Sequence, residues 1–227
     1  MDFSLSLLNA DIFTKNPYWQ TNGIELKDPD NFGLIVSVKQ KELQSEDATT
    51  QLIKAKGIHT WEQFLNYVKN IPYGRNSDRT DFELVVKENK GTCSSKHALT
   101  KQVADLNQIE GVQLIMGIYK MTQSNTEGIG NHLKGNALEY LPEAHCYLKV
   151  NGKRIDLTNP TSDIQKIQAD IIEEQEIEPF QVGAYKVDFQ KAFLRNWREQ
   201  FGLSLSFDEI WEVRERCIGE LGENGCN

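Results

Sequence analysis

The sequence predicts an α+β fold in which one helix packs on an antiparallel sheet. Three observations lead to this prediction. The segment from Val112 to Met121 is mostly apolar, as a central strand would be. Asn151-Gly152 separates two runs of alternating apolar residues, which is the strongest short-range signal for a tight hairpin. Thr92, a favourable N-cap, directly precedes a helical pattern that begins at Cys93.

The composition is that of an ordinary globular protein. The chain has 227 residues, of which 39% are hydrophobic and 26% are charged, and this length suits one domain with a sizeable core. We expect the core of this single domain at about residues 58–160. Residues 1–57 would form an N-terminal elaboration, and residues 161–227 a helical C-terminal elaboration.

Charge and cysteine usage disfavour several classes of function. The net charge of −8 argues against nucleic acid or an anionic membrane as the main partner. No apolar run approaches the ~20 residues that cross a bilayer, and the N-terminus lacks the basic start of a signal peptide. The cysteines Cys93, Cys146, Cys217 and Cys226 show no metal-ligand spacing. We therefore expect a reduced, cytoplasmic protein without a metal or another cofactor.

The elements ahead of Cys93 are predicted from apolar spacing and from caps. Leu34 to Val38 is typical of a buried strand, and Gln40 to Lys56 of a charged helix. Thr60 is expected to cap a helix that begins at Trp61. Pro72 disfavours helical geometry at the residue before it, so this helix should end near residue 70.

Cys93 is the candidate nucleophile. In the first turn of a helix, the unpaired N–H groups and the helix dipole favour a thiolate over a neutral thiol. A lone cysteine is more often a small core residue, so Cys93 by itself decides nothing. His97 lies one turn further along the same side. It could be a metal ligand, a catalytic base or a structural residue, and we favour the structural role because no further ligand pair and no orienting carboxylate are evident.

The hairpin predicts a partner for the cysteine. With Asn151-Gly152 as the turn, Leu148 pairs with Ile155, and the next pair along the strands brings Asp156 opposite Tyr147. His145, Tyr147 and Asp156 then point to one face of the sheet. A carboxylate behind a histidine holds a general base in its working tautomer. We therefore infer a Cys-His-Asp constellation of Cys93, His145 and Asp156.

This order of residues resembles the transglutaminase-like superfamily, whose fold is related to that of papain. The resemblance rests on a cysteine in a Gly-Thr-Cys-Ser run, a histidine on a strand and an aspartate on the next strand, here Asp156-Leu157-Thr158. The segment from Ile71 to Gly74 ahead of the cysteine adds to it. It covers about residues 61–160, and the hairpin between His145 and Asp156 is shorter than in many members.

The resemblance implies a thiol enzyme that acts on a peptide bond or a glutamine carboxamide through a Cys93 thioester. We expect a peptide or protein substrate, and hydrolysis rather than transfer to an amine. The family also suggests that an aromatic residue upstream of the cysteine helps to form the oxyanion hole. Tyr73 is the candidate, and a buried tyrosine that anchors the loop is the other interpretation. The alternatives for the whole protein are a non-catalytic binding or scaffold domain and an acyltransferase that uses another donor.

The remaining segments carry no catalytic pattern. Residues 122–135 are rich in Gly, Asn, Ser and Thr and predict a mobile loop with an exposed His132. Ile164 to Ile177 suggests an amphipathic helix with a solvated run of acidic residues. Lys191 to Gln200 predicts a further helix, and a capping box at Ser206 opens the last one.

Overall fold

The computed structural model of the chain describes residues 23–27, 33–37 and 40–224, and side chains from residue 40 to residue 221. Cys226 and the last residue of the predicted strand at 34–38 lie outside the described residues. The helices are α1 (Ala48–Lys54), α2 (Trp61–Asn70), α3 (Leu84–Lys87), α4 (Cys93–Leu106), α5 (His132–Gly135), α6 (Ala184–Gln200) and α7 (Phe207–Asn224). The strands are β1 (Gly23–Lys27), β2 (Gly33–Ser37), β3 (Val112–Met121), β4 (Leu141–Val150), β5 (Lys153–Ile155) and β6 (Ile171–Glu176).

The predicted α+β class is confirmed, because helices surround a four-stranded antiparallel sheet. The strand order is β5-β4-β3-β6, and β1 and β2 form a separate two-stranded antiparallel sheet. Helix α4, which begins at Cys93, packs against β3 and β4. Thr60 and Thr92 each cap the helix that follows, as predicted.

The hairpin between β4 and β5 has the predicted register. Val150 pairs with Lys153, and Leu148 pairs with Ile155. Asn151 and Gly152 have φ angles of 48° and 80°, so both turn residues are left-handed, as a type I′ turn requires. The hydrogen bonds between β4 and β5 stop at Ile155. Strand β5 therefore pairs only with residues 148–150 of β4 and leaves the rest of that strand edge uncovered.

The two faces of the sheet belong to two hydrophobic cores. Ala144, Cys146 and Leu148 of β4 lie in the core that α2 and α4 cover, among side chains such as Phe64 and Leu99. The alternate residue Tyr147 lies in the second core, which includes Ile210, Val213 and Cys217 of α7. Because side chains alternate between the two faces of the sheet, β4 contacts α4 on one face and the C-terminal helices on the other.

The predicted helix over residues 164–177 is wrong. This segment forms two short 3₁₀ turns, Ile164–Lys166 and Gln168–Asp170, followed by strand β6. Strand β6 pairs with the edge of β3, which would otherwise expose its backbone groups. Its acidic run is not merely a solvated face, because Glu174 accepts hydrogen bonds from Tyr147, Lys149 and Arg154. The C-terminal elaboration is therefore not purely helical, and the sheet extends beyond the expected core of residues 58–160.

Two further predictions are corrected by tertiary packing. The charged helix expected over residues 40–56 is helical only at Ala48–Lys54. The segment at 122–135 is not a free loop, because Ile129 is fully buried and His132 bonds to Glu220 of α7 at 2.6 Å. Within the residues that the structure describes, no helix combines the length and the apolar character needed to cross a membrane.

We predict that Gly152→Ala lowers the free energy of unfolding by about 1 kcal/mol, because a Cβ atom is unfavourable at the positive φ of this turn. Gly135→Ala is the matched control. Its added Cβ would also meet open space, but Gly135 lies in a helix, where alanine is favoured. Urea denaturation of both variants tests this difference, and equal stability of the two would contradict it.

Candidate active site

Cys93 is the first residue of α4, and a reciprocal capping box fixes this helix end. The backbone N–H of Ser95 donates to Thr92 Oγ1 at 3.3 Å, and the N–H of Thr92 donates to Ser95 Oγ at 3.0 Å. These bonds hold the first turn in place and leave the Cys93 sulfur at the positive end of the helix dipole.

His145 and Asp156 form the predicted pair. His145 lies in the middle of β4, and Asp156 follows the last residue of β5. Nε2 of His145 lies 2.9 Å from Oδ2 of Asp156. The other carboxylate oxygen accepts from the backbone N–H and the hydroxyl of Thr158, at 2.9 Å and 2.6 Å. Asp156 therefore fixes the ring of His145, and Nδ1 is the nitrogen left for Cys93.

These contacts shift both pKa values. Burial by itself would raise the pKa of Asp156, but His145, His97 and the hydroxyl of Thr158 together hold it well below its ordinary value. Burial would lower the pKa of His145, but the charge of Asp156 and the nearby Cys93 sulfur raise it well above 6.5. His145 is therefore an imidazolium at neutral pH, and Asp156 is a carboxylate.

The sulfur of Cys93 lies at the open edge of β4. Burial would raise the pKa of the Cys93 thiol, but the charges of Lys186 and His145 and the backbone N–H of Cys146 lower it to about 6. The N–H of Cys146 is free to face the sulfur because β5 pairs with β4 only at residues 148–150. The sulfur of Cys93 is therefore a thiolate at neutral pH.

Lys186 is a residue of the site that sequence reasoning missed. It lies on α6, and its Nζ is 3.9 Å from the Cys93 sulfur and 2.8 Å from the Ser94 hydroxyl. The available signal was its place on the buried side of that helix, together with Gln190, Leu194 and Trp197. A lysine on the buried face of an amphipathic helix is unusual, since its charge needs a partner there.

His97 has the structural role that the sequence favoured. Its Nε2 accepts from the backbone N–H of Leu157 at 2.8 Å, so Nδ1 carries the proton and donates to the Cys93 carbonyl at 2.6 Å. Burial lowers the pKa of His97 to about 4, although Asp156 opposes this shift. The ring is therefore neutral, and both of its nitrogens are engaged by the backbone, so His97 is not free to act as the catalytic base.

The neighbouring Lys96 makes a second connection from α4. Its side chain is fully buried, and its ammonium donates to the carbonyls of Ile71, Leu157 and Thr158. Ile71 lies two residues before Tyr73, and Leu157 directly follows Asp156. Helix α4 thus positions the Tyr73 loop and the Asp156 segment through a single side chain.

Tyr73 lies beside Cys93, as the proposed oxyanion role requires. Its backbone bridges to Gly91 in parallel fashion, which brings the loop to the residues just ahead of the nucleophile. Burial and the negative charges of Cys93 and Glu143 raise the pKa of Tyr73. The phenol is therefore neutral and retains an O–H donor. Its part in stabilising an oxyanion stays a prediction.

The site opens into a cleft of about 790 Å³, and the C-terminal helix α7 forms one wall of it. Trp211, Arg214, Ile218 and Leu221 recur at helical spacing along this wall. Arg214 binds both carboxylate oxygens of Glu143, a buried residue two positions before His145 on β4. The sequence did not predict this wall. The apolar spacing of α7 indicates which side of the helix is buried, but it does not indicate that a second side faces the cleft.

The described residues include no group of three or more His, Cys, Asp or Glu side chains that could hold a metal ion.

We predict that iodoacetamide labels Cys93 with a half-maximal rate near pH 6, because the thiolate is the reactive form and its pKa is lowered to about 6. Cys217 is the internal control, since burial raises the pKa of its thiol to about 11. Peptide mass spectrometry of the same sample follows both residues. Labelling of Cys93 that stays slow until pH 8 would rule out a thiolate at rest.

We also predict that His97→Phe lowers the free energy of unfolding by about 2–4 kcal/mol. Phenylalanine fills similar space but leaves the Leu157 N–H and the Cys93 carbonyl without their partners. His59→Phe, at an exposed position, is the control. Urea denaturation compares the two variants. If His97→Phe lowers the free energy of unfolding no more than the control does, His97 does not stabilise the fold through these two backbone groups.

No protein-family model, curated protein or solved structure matches this chain.

Proposed function

We propose that this protein is a transglutaminase-like thiol enzyme that acts on a peptide bond or a glutamine carboxamide. The observation that carries the proposal is the arrangement of charged groups around Cys93. A thiolate at a helix N-terminus lies beside a protonated histidine, and a buried carboxylate fixes that histidine at 2.9 Å. This is the arrangement that nucleophilic acyl transfer needs, whatever fold presents it.

In the proposed reaction, the Cys93 thiolate attacks the carbonyl carbon of the substrate. The carbon–sulfur bond forms, and the carbonyl electrons move onto oxygen. The backbone N–H of Cys93 at the helix start and the neutral phenol of Tyr73 supply donors for this oxyanion. His145 already carries a proton because Asp156 raises its pKa, so it can protonate the leaving amine as the tetrahedral intermediate collapses to a thioester.

Release of the acyl group reverses these roles. After giving up its proton, His145 is a neutral base that activates the acceptor, and Asp156 keeps its ring in place. We favour water as the acceptor because the sequence contains no recognisable acceptor-binding module. The product is then a carboxylic acid, and the thiolate and the imidazolium are restored. A reducing compartment such as the cytoplasm, the location that the sequence predicts, would keep this thiol from being oxidised.

A binding domain without turnover is the main alternative. Perturbed pKa values cluster at functional sites, so the lowered pKa of the Cys93 thiol, about 6, and the buried carboxylate bonded to His145 favour the enzyme over the binding domain. An acyltransferase that takes its acyl group from another donor, such as a coenzyme A thioester, would use the same three residues. The acyl donor therefore has to be identified by experiment.

We predict that the wild-type protein converts a mixture of glutamine-containing peptides in water enriched in ¹⁸O. Hydrolysis places ¹⁸O in the new carboxyl group, whereas an added primary alkylamine appears as an amide adduct if transfer dominates. Cys93→Ala should lose all turnover, because it removes the nucleophile. Cys217→Ala, at the buried cysteine of the second core, is the matched control and should retain turnover.

Mass spectrometry of the peptides and of the intact protein reads out products and any trapped thioester. Adding an acetyl-coenzyme A thioester in a parallel sample tests the second donor class. Unchanged peptides and no acyl-enzyme in either sample would leave the binding domain as the better account of the fold.

A further inference from the structure

Lys186 presents a problem of buried charge. Only 7% of its surface is exposed, and a lysine this deeply buried needs a compensating negative group or must lose its proton. Among the residues that the structure describes, no carboxylate oxygen lies within 4 Å of its ammonium. Its polar contacts are the hydroxyl of Ser94 and the sulfur of Cys93.

The acidic side chain whose charge acts on Lys186 is already paired with another cation. Glu143 influences Lys186, but both of its carboxylate oxygens bind Arg214, and Gln190 donates to it as well. Arg214 in turn contacts Glu215, which also pairs with Arg75. The charges along this wall of the cleft are therefore matched without Lys186.

The other titratable groups near the sulfur do not supply the missing charge. Burial raises the pKa values of Cys146, Tyr73 and Tyr119, which keeps all three neutral. The charge of His145 is balanced by Asp156 at 2.9 Å. Lys96 is positive or neutral and is held by three backbone carbonyls. The Cys93 thiolate is the one anion on these packed elements that remains for Lys186.

We propose that Lys186 is a catalytic residue whose ammonium keeps Cys93 ionised independently of His145. The site then holds two ion pairs, Lys186 with Cys93 and His145 with Asp156. The inference rests on the proposed function in taking Cys93 as the nucleophile.

Two separate ion pairs have a chemical consequence. In a site with a single cysteine–histidine ion pair, deprotonation of the histidine removes the cation that stabilises the thiolate. Here Lys186 remains beside the sulfur, 3.9 Å away, whichever form His145 takes. When the thiolate adds to a carbonyl, the negative charge moves from sulfur to the carbonyl oxygen, where the positive charge of Lys186 also favours it.

The test is the pH profile of Cys93 alkylation by iodoacetamide in four variants, read by peptide mass spectrometry. In Lys186→Met the profile should move up by at least one pH unit, which lowers the labelling rate at pH 6 about five-fold. Lys186→Arg keeps the charge and should stay close to wild type. Lys153→Met, at an exposed hairpin lysine, is the control and should match wild type.

The His145→Ala variant tests the role of Lys186 even if Lys186→Met fails to fold. The profile of this variant should also move to higher pH because the charge of His145 is lost, but Lys186 should keep its midpoint below that of an ordinary thiol, and the thiolate absorbance near 240 nm should persist at pH 8. An ordinary midpoint and loss of this absorbance in His145→Ala, or an unchanged profile in folded Lys186→Met, would overturn the role of Lys186 while leaving the proposed enzyme intact. Slow labelling of the wild type below pH 8 would instead refute the proposed function itself.

Discussion

The geometry of the site depends on two consecutive residues of α4, Lys96 and His97. Both are fully buried, and both use their side chains to bind backbone groups of distant segments. His97 forms hydrogen bonds with the Cys93 carbonyl and the Leu157 N–H. Lys96 donates hydrogen bonds to the carbonyls of Ile71, Leu157 and Thr158. Since a buried backbone group without a partner is unfavourable, these bonds have few alternatives. They fix helix α4 against the segment after β5 that carries Asp156.

The short strand β5 makes the rest of the arrangement possible. A longer strand would continue the ladder along β4 and cover the edge that Cys93 occupies. Because pairing stops at Ile155, the N–H of Cys146 faces the sulfur, and Asp156 is free to turn toward His145. The type I′ turn at Asn151-Gly152 sets where that strand begins, so a local backbone preference determines which residues reach the site.

The C-terminal segment belongs to the site as much as the central part does. Helix α6 supplies Lys186, and α7 supplies Arg214, which neutralises Glu143 on the same strand as His145. Two buried charges near the sulfur are thereby paired, Glu143 with Arg214 and His145 with Asp156, as burial in a low-dielectric region favours. The helices expected as an addition to the core thus place charged groups near Cys93 and line the cleft.

The sequence by itself determined the helix start at Cys93, the register of the hairpin and the face shared by His145 and Asp156. These features follow from caps, turn residues and alternation, which act over a few neighbouring residues. Only the tertiary structure decided that residues 171–176 form a strand, since they do so by pairing with β3. It also decided the place of Lys186, 93 residues from Cys93 in the chain. Its charge is favourable only where packing brings it to a thiolate, and no local pattern records such a long-range contact.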